Sequence, residues 1–289
     1  MKKWLIARRI SQILVLFLFL ITPLTKSEVM EGKIPAFFEM KTSEIGEGGP
    51  VSDRGIEILE GNLTSSEFLD FIPMTDPFAA LQVMLATGDI YKTALIGAGI
   101  ILLFYIIVGG RLFCSWVCPM NMVTDFAHSM RKRFNIERGR SLDRNTRYWI
   151  LGTVLIVTAV TGVTSFEIIS PVAMLHRELI FGAGAGLLLV AAIFLFDLLV
   201  FYRGWCSSLC PLGAFYSLVG KLSLLRVRFS DGLCDSCGDC FPVCAEAQVL
   251  GPSVKDREPV ILSGNCTNCG NCIDICPPKA LKFGLRFKR

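Results

Sequence analysis

The first 113 residues contain no cysteine, and two common cofactor motifs are missing from the whole chain. There is no C-x-x-C-H sequence, which excludes a c-type haem attachment site. There is no G-x-G-x-x-G sequence after a strand-like segment, which argues against a dinucleotide-binding fold. Charged residues make up only 19% of the 289 residues, and a net charge of +4 gives no electrostatic case for nucleic-acid binding.

The scarcity of charge accompanies long apolar runs. Hydrophobic residues make up 52% of the chain and the mean hydropathy is +0.54, which is more apolar than a soluble chain of this size. A bilayer span needs about 20 helical residues. Four runs approach that length: Ile10–Leu24 and, approximately, residues 93–113, 148–166 and 179–201. The sequence therefore predicts an α-helical integral membrane protein with four transmembrane helices, in which a two-helix unit is duplicated.

The charges between these runs predict an orientation. Lys and Arg dominate before the first run, in residues 111–147 and in residues 202–289, whereas residues 25–77 hold four basic and eleven acidic residues. Because excess Lys and Arg marks the cytoplasmic side, we expect a multi-pass protein of the cytoplasmic (inner) membrane, embedded in the lipid bilayer, with both termini in the cytoplasm. Residues 25–92 would then form an acidic periplasmic loop, either a tether or a docking surface.

The first run, within residues 1–24, has two readings. Its basic start and apolar middle are typical of a secretory signal peptide. No small-x-small cleavage site follows it in Ile21-Thr-Pro-Leu-Thr-Lys-Ser27. We therefore expect an uncleaved transmembrane anchor.

Eight of the twelve cysteines form two runs in residues 218–289, Cys234-x2-Cys237-x2-Cys240-x3-Cys244 and Cys266-x2-Cys269-x2-Cys272-x3-Cys276-Pro277. This is the spacing of bacterial ferredoxins, in which the fourth cysteine of each run binds the cluster of the other. The pattern predicts a small α+β domain with two [4Fe–4S] clusters. One would be held by Cys234, Cys237, Cys240 and Cys276, and the other by Cys266, Cys269, Cys272 and Cys244. The alternative is a zinc site, which needs only four cysteines.

The other four cysteines form two C-x3-C-P motifs in residues 93–217, Cys114-x3-Cys118-Pro119 and Cys206-x3-Cys210-Pro211. Each motif has an arginine three residues before its first cysteine, Arg111 and Arg203, which we expect to favour thiolate over thiol. A parallel duplication tends to place equivalent positions around one axis, so the motifs are predicted to face each other. The four thiols are candidates for buried structural cysteines, for a redox or additional metal site, or for the lining of a quinone pocket.

Three further groups attract attention. Asp197 lies inside the fourth run, and an ionisable residue there is a candidate catalytic group or a partner of Arg203. Glu167, His176, Arg177 and Glu178 are candidates for handling protons, or are simply solvated. The basic residues between Arg131 and Arg147 are interpreted as topology signals that bind lipid head groups.

Several segments resemble the NapH/MauN family of membrane ferredoxin-type proteins. They are Pro73–Val83, Gly110–Asp125, Ile169–Arg177, Gly204–Tyr216 and Leu262–Gly270, so the resemblance covers nearly the whole chain. It implies a quinol dehydrogenase subunit that takes electrons from menaquinol or ubiquinol and passes them, with the periplasmic ferredoxin NapG, toward the nitrate reductase subunits. The resemblance also ties Cys114, Cys118, Cys206 and Cys210 to quinol oxidation.

Two other functions are compatible with these motifs. A membrane polyferredoxin that reduces a metal ion such as copper, for maturation of another enzyme, resembles the same architecture, and thiolates select Cu(I). A pure anchor whose ferredoxin domain only scaffolds partners is the third possibility. The wider resemblance favours the quinol-oxidising electron-transfer subunit, acting as part of a multicomponent oxidoreductase.

Overall fold

The computed structural model describes residues 3–24, 59–61, 65–68, 72–90, 92–136, 142–175 and 184–287. The helices, in chain order, are α1 (Lys3–Leu24), α2 (Pro77–Thr87), α3 (Lys92–Val108), α4 (Leu112–Trp116), α5 (Met120–Arg133), α6 (Thr146–Thr161), α7 (Ser165–Ile169), α8 (Ala185–Leu195), α9 (Pro211–Gly220), α10 (Cys240–Val243), α11 (Gly251–Lys255) and α12 (Asn271–Ile275). π-Helical turns occupy Phe196–Val200 and Trp205–Leu209, and 3₁₀ turns occupy Asp231–Leu233 and Ala247–Leu250.

The strands form two antiparallel sheets. β1 (Leu59–Gly61), β2 (Ser65–Phe68) and β3 (Ile72–Thr75) pair in sequence order. They lie in the segment expected to be a loop of little structure, and residues 25–58 of that segment are outside the described residues. β4 (Leu225–Phe229) pairs with β5 (Leu281–Leu285), with Val227 opposite Phe283. In the sequence, the two strands of this second sheet therefore lie on either side of the two ferredoxin cysteine runs.

Local sequence signals end the helices earlier than hydropathy suggests. α3 stops at Val108 because Gly109 adopts φ +139°, and Gly110 lies so close to α9 that a Cβ would meet the Gly220 backbone nitrogen at 2.1 Å. α6 stops at Gly162, which is left-handed with φ +68° and donates to Thr158. α8 passes into a π-helical turn at Phe196. Three of the predicted spans are thus shorter helices of 17, 16 and 11 residues.

The prediction of four transmembrane helices is wrong. In the described part of the chain, no helix combines the length and the apolar character that crossing a membrane requires. α1 has the length, but Arg8 and Gln12 of its first half are buried in contacts with other parts of the protein. The multi-pass inner-membrane location, which rested on those spans, is corrected with them.

Two hydrophobic cores organise the described residues. The first lies among the helices, where Phe78, Phe113, Met120 and Tyr216 are buried. The second lies between the β4–β5 sheet and the cysteine loops. The first core packs against Cys114, Cys118 and Cys210, and the second against six of the ferredoxin cysteines, so each core supports one group of thiols.

Candidate redox centre

The two ferredoxin cysteine loops share one backbone conformation. Ser236 and Gly238 adopt positive φ in the first loop, and Asn268 and Gly270 adopt positive φ at the matching positions of the second. Left-handed residues on both sides of the middle cysteine turn the chain around a common centre. Gly238 and Gly270 take this conformation without the steric cost of a Cβ.

None of the eight ferredoxin cysteines forms a disulfide. Burial, together with the nearby thiols Cys234, Cys237 and Cys276, raises the pKa of Cys240. Burial, together with Cys269, Cys266 and Cys244, raises the pKa of Cys272 well above its ordinary value. The fourth cysteine of each run therefore lies near thiols of the other run, while the two ligand sets stay a prediction.

Cys244, Cys266, Cys269 and Cys272 line one internal cavity together with apolar side chains, Thr267 and Glu246. Four free thiols around one cavity match a [4Fe–4S] cluster in the number and type of ligands, because each sulfur binds a different iron of the cube. Within the described residues, no group of three or more His, Cys, Asp or Glu side chains is placed to hold a single metal ion. A site for a single ion needs its ligands closer together than a cluster does, because a cluster distributes its ligands over several irons.

The structure brings the two C-x3-C-P motifs together, as their duplication suggested. Burial, with Cys114 and Cys210 close by, raises the pKa of Cys118, and burial with Cys118 and Cys210 nearby raises that of Cys206. Burial also raises the pKa of Cys210 to about 11, against the opposing charge of Arg111. The arginines therefore do not make these three groups thiolates at neutral pH, because desolvation outweighs their attraction.

The first C-x3-C-P motif touches the second ferredoxin loop directly. The Ser115 hydroxyl donates to the Thr267 carbonyl at 2.7 Å, and the Trp116 indole donates to the Asn268 carbonyl at 3.2 Å. The Asn268 amide in turn donates to the Val108 carbonyl, and its oxygen accepts a weak bond from the Cys266 thiol. The four-thiol patch and the Cys266 loop thus form one continuous region.

A buried carboxylate, Glu246, joins the helices to the ferredoxin part. Arg111 reaches its Oε1 at 2.7 Å and Arg147 reaches the same atom at 3.2 Å, while Arg144 pairs with Oε2. Burial alone would raise the pKa of Glu246, but the charges of Arg111 and Arg147 lower it to about 2. Arg147 is completely buried, so it does not bind lipid head groups as its charge run suggested.

A second buried carboxylate, Asp125, gathers another set of arginines. Arg8 and Arg9 of α1 contact its Oδ2 at 2.8 and 2.6 Å, and Arg203 contacts its Oδ1 at 2.8 Å. The arginine of the second C-x3-C-P motif therefore pairs with Asp125 and not with Asp197. A buried ion pair with several partners costs desolvation and gives a defined geometry in return.

Asp197 lies beside the second motif. Its Oδ1 accepts a hydrogen bond from the Trp205 backbone nitrogen at 3.1 Å. Burial raises its pKa to about 6, and its charge contributes to the raised pKa of Cys206. This placement keeps Asp197 a candidate functional group close to the thiols.

Sequence reasoning missed a polar pair near the first motif. Tyr216 donates a short hydrogen bond from its hydroxyl to Asp76, which also caps α2 by accepting from the Ala79 nitrogen at 3.3 Å. The Tyr216 ring stacks on Phe113, the residue before Cys114. Burial raises the pKa of Asp76 to about 6, and Glu167 adds to the shift. The other proposed proton-handling residues, at 176–178, lie outside the described residues.

Helix α1 was expected to be an anchor, yet it supplies a residue to the first motif. The Gln12 amide donates to the Ser115 carbonyl at 2.9 Å and, less closely, to the Cys118 carbonyl at 3.4 Å. Ser11 donates to the Trp116 carbonyl at 3.1 Å. The signal that was available was a glutamine inside an apolar run, which signifies a specific partner when buried.

Comparison with known proteins agrees with the geometry. A 4Fe-4S binding domain model matches residues 93–137 and 183–230, and a 4Fe-4S dicluster domain model matches residues 226–277. The chain is 48% identical over 219 residues to the methylamine utilization ferredoxin-type protein MauN of Paracoccus denitrificans, covering 75% of this chain and 77% of that protein. It is 42% identical to MauN of Methylorubrum extorquens, over 91% of this chain and 82% of that protein. No solved structure matches the chain.

The repeated first match corresponds to the two C-x3-C-P motifs, and the second match contains all eight ferredoxin cysteines. The protein is therefore a ferredoxin-type electron-transfer protein with [4Fe–4S]-binding domains. The ferredoxin-type protein NapH of Escherichia coli is 40% identical over 258 residues, which cover 89% of this chain and 79% of that protein. The chain belongs to the NapH/MauN family, and the resemblance drawn from its sequence motifs is confirmed.

Proposed function

We propose that this protein takes electrons from a quinol and passes them through two [4Fe–4S] clusters to a periplasmic nitrate reductase system. The clusters would be held by the cysteine sets described above, and each would accept and release one electron at a time. The observation that carries the proposal is the direct contact between the Cys114–Cys118 loop and the Cys266–Cys269 loop. Electrons that enter near the thiol patch are thus delivered beside a ferredoxin ligand.

The protein's own residues have two tasks in this scheme. The four thiols provide a redox-active or metal-binding patch next to the second cysteine set, with Asp197 beside Cys206. The Arg111–Glu246 ion pair holds the patch and the ferredoxin part in register. NapG and other nitrate reductase subunits are the proposed acceptors, on the family resemblance.

A second route has an observation in its favour. Two relatives named for methylamine utilization are 42% and 48% identical to this chain, and two named NapH are 40% and 41% identical. Identity therefore gives no preference for nitrate, and the same electron-transfer core would serve a methylamine-oxidising system. Reduction of copper by the thiol patch stays a prediction that no observation here tests.

The test is anaerobic reduction of the oxidised protein by a soluble ubiquinol or menaquinol analogue, followed by EPR of the clusters. The parent is compared with the variant Cys114→Ser/Cys118→Ser and with the matched variant Cys206→Ser/Cys210→Ser. We expect quinol to reduce the clusters of the parent but not those of Cys114→Ser/Cys118→Ser. The iron content of that variant and its reduction by dithionite should equal those of the parent. A parent that dithionite reduces but quinol does not would overturn the quinol proposal, and Cu(II) reduction would then be assayed on the same samples.

A further inference from the structure

A cleft of about 640 Å³ opens where α6, the end of α9 and the loop before Cys266 meet. Its volume is within the range of small-molecule sites, roughly 300 to 1,000 Å³. The side chains that matter are Tyr148, Leu218, Lys221, Leu262, Ser263 and Asn265. No cysteine lines it, so it is separate from the cluster cavity.

The floor of the cleft is formed by the Asn265 side chain, whose oxygen has three donors around it. The Asn265 side-chain oxygen accepts from Arg147 at 2.5 Å, from Ser217 at 2.5 Å and from the Tyr148 hydroxyl at 3.2 Å. A carbonyl oxygen has two lone pairs, so three donors exceed its capacity. The Tyr148 hydroxyl is the most distant donor, and its one hydrogen is already used on Asn265 or on the Ser217 hydroxyl, so what it offers a ligand hydroxyl is an acceptor oxygen. Tyr148 also lies 2.8 Å from the Ser217 hydroxyl, which keeps its ring in place.

The walls complement an aromatic ring with oxygen at its ends. Leu218 and Leu262 present exposed apolar side chains, whereas Tyr148 and Asn265 present hydroxyl and amide groups. Lys221 is the one charged residue of the lining. A single cation does not suit a polyphosphate ligand, but it suits an oxygen atom that carries partial negative charge.

The position of the cleft connects it to the redox centre. Asn265 directly precedes the ligand Cys266, and its backbone carbonyl accepts from Arg111 at 3.1 Å. Arg111 is the arginine of the first C-x3-C-P motif and also binds Glu246. Arg111 also donates to the Cys206 carbonyl at 3.1 Å, so the cleft floor is connected through one side chain to the thiol patch and adjoins the Cys266 loop.

We propose that this cleft is the binding site for the quinol head group, with the ring between Leu218 and Leu262 and its oxygens on Tyr148, Asn265 and Lys221. The inference rests on the proposed function, because it locates the donor of that reaction. It assigns ligand binding to residues that carry no thiol and lie outside the cysteine motifs.

The experiment measures binding of decylubiquinone to the anaerobically purified, cluster-loaded protein by calorimetry. Leu262→Trp places an indole in the cleft, and Leu222→Trp places the same bulk on a neighbouring position that does not line it. The two leucines are 49% and 62% exposed, so neither change forces an indole into a buried core. We expect Leu262→Trp to raise the Kd by about tenfold or more and Leu222→Trp to leave it unchanged.

A milder variant keeps the test decisive if the indole disturbs the Cys266 loop, which a changed EPR spectrum after dithionite reduction would reveal. Tyr148→Phe removes one hydroxyl and should weaken binding by about three- to tenfold. If the parent binds decylubiquinone and is reduced by quinol, but both cleft variants bind as the parent does, the cleft assignment is overturned and the proposed function stands. If the parent neither binds the quinone nor is reduced by quinol, the proposed function fails and the assignment with it.

Discussion

The two C-x3-C-P motifs are alike in sequence and unlike in surroundings. In the first, Arg111 pairs with Glu246 of the ferredoxin part, and Gln12 of α1 binds the loop carbonyls. In the second, the loop is a π-helical turn and Arg203 pairs with Asp125, which belongs to the first half of the repeat. A duplicated motif therefore does not imply duplicated contacts. The first motif contacts the second ferredoxin loop, and the second motif contacts the first through its Cys206 carbonyl, which accepts a hydrogen bond from Arg111.

The largest expected effect comes from breaking the two carboxylate centres. Glu246→Gln leaves Arg111 and Arg147 buried without a counter-charge, and removing one partner of a buried pair costs about 3–5 kcal/mol. Asp125→Asn should cost about as much, because it leaves Arg8 and Arg203, which are 3% and 10% exposed, without a counter-charge. The midpoint of anaerobic thermal unfolding measures both.

Asp231→Asn is the matched control for those two variants. Asp231 pairs with Arg257 at the surface, where the partners are 59% and 45% exposed, and exposed pairs contribute at most about 1 kcal/mol. Equal shifts for Glu246→Gln and Asp231→Asn would contradict the view that Glu246 joins the two parts.

A smaller effect separates the two motifs chemically. Gln12→Leu leaves the carbonyls of Ser115 and Cys118 without their amide partner, at a cost of about 1–3 kcal/mol. We expect Cys118 to become more reactive toward an alkylating reagent, while Cys210 stays unchanged, as read by mass spectrometry. Ile13→Ala, at an exposed neighbour on α1, is the control. Equal labelling of both cysteines would show that Gln12 does not act on the first motif selectively.

The smallest effect is the pH dependence of stability that the Asp76–Tyr216 pair produces. This pair connects α2 to Phe113, the residue before Cys114, because the Tyr216 ring stacks on the Phe113 ring. The pKa of Asp76 is raised from its ordinary 3.8 to about 6, so between these values the folded protein holds the proton that the unfolded chain releases. Stability from this group is therefore full at low pH and is lost as pH rises toward about 6.

Asp76→Asn tests that dependence, because it retains an acceptor for Tyr216 and has no proton to lose. Unfolding midpoints of parent and variant are compared from pH 4 to pH 7. As pH rises, the unfolding midpoint of the variant should increase relative to that of the parent. A gap that stays constant would mean that Asp76 does not titrate in this range.

The features that the sequence predicted well are those encoded by short spacing. The two cysteine runs fold into matching loops, in which Ser236, Gly238, Asn268 and Gly270 adopt left-handed conformations, whereas the assignment of each cysteine to a cluster stays a prediction. The meeting of the C-x3-C-P motifs follows from their duplication. Both patterns depend on residues a few positions apart, or on equivalent positions in a repeat.

Long-range contacts were beyond such reasoning. Arg111 and Glu246 are separated by 135 positions, and Arg147 was interpreted as a topology signal because a charge run gives no indication of a distant partner. Hydropathy failed for a related reason. It records that a run is apolar, but Gly109, Gly110 and Gly162 decide where each helix stops.

The contact of α1 with α12 has a consequence for the order in which the protein folds during its synthesis. The backbone nitrogen of Trp4 donates to the Asp274 carboxylate, and the Trp4 ring fills the space where a side chain on Gly270 would stand. Ribosomes add roughly 5–20 residues per second, so α1 waits tens of seconds after it leaves the ribosome before α12 exists to receive it. The Trp4 end of α1 therefore docks on α12 well after the contacts of Gln12 with Ser115 and of Arg8 with Asp125 can form.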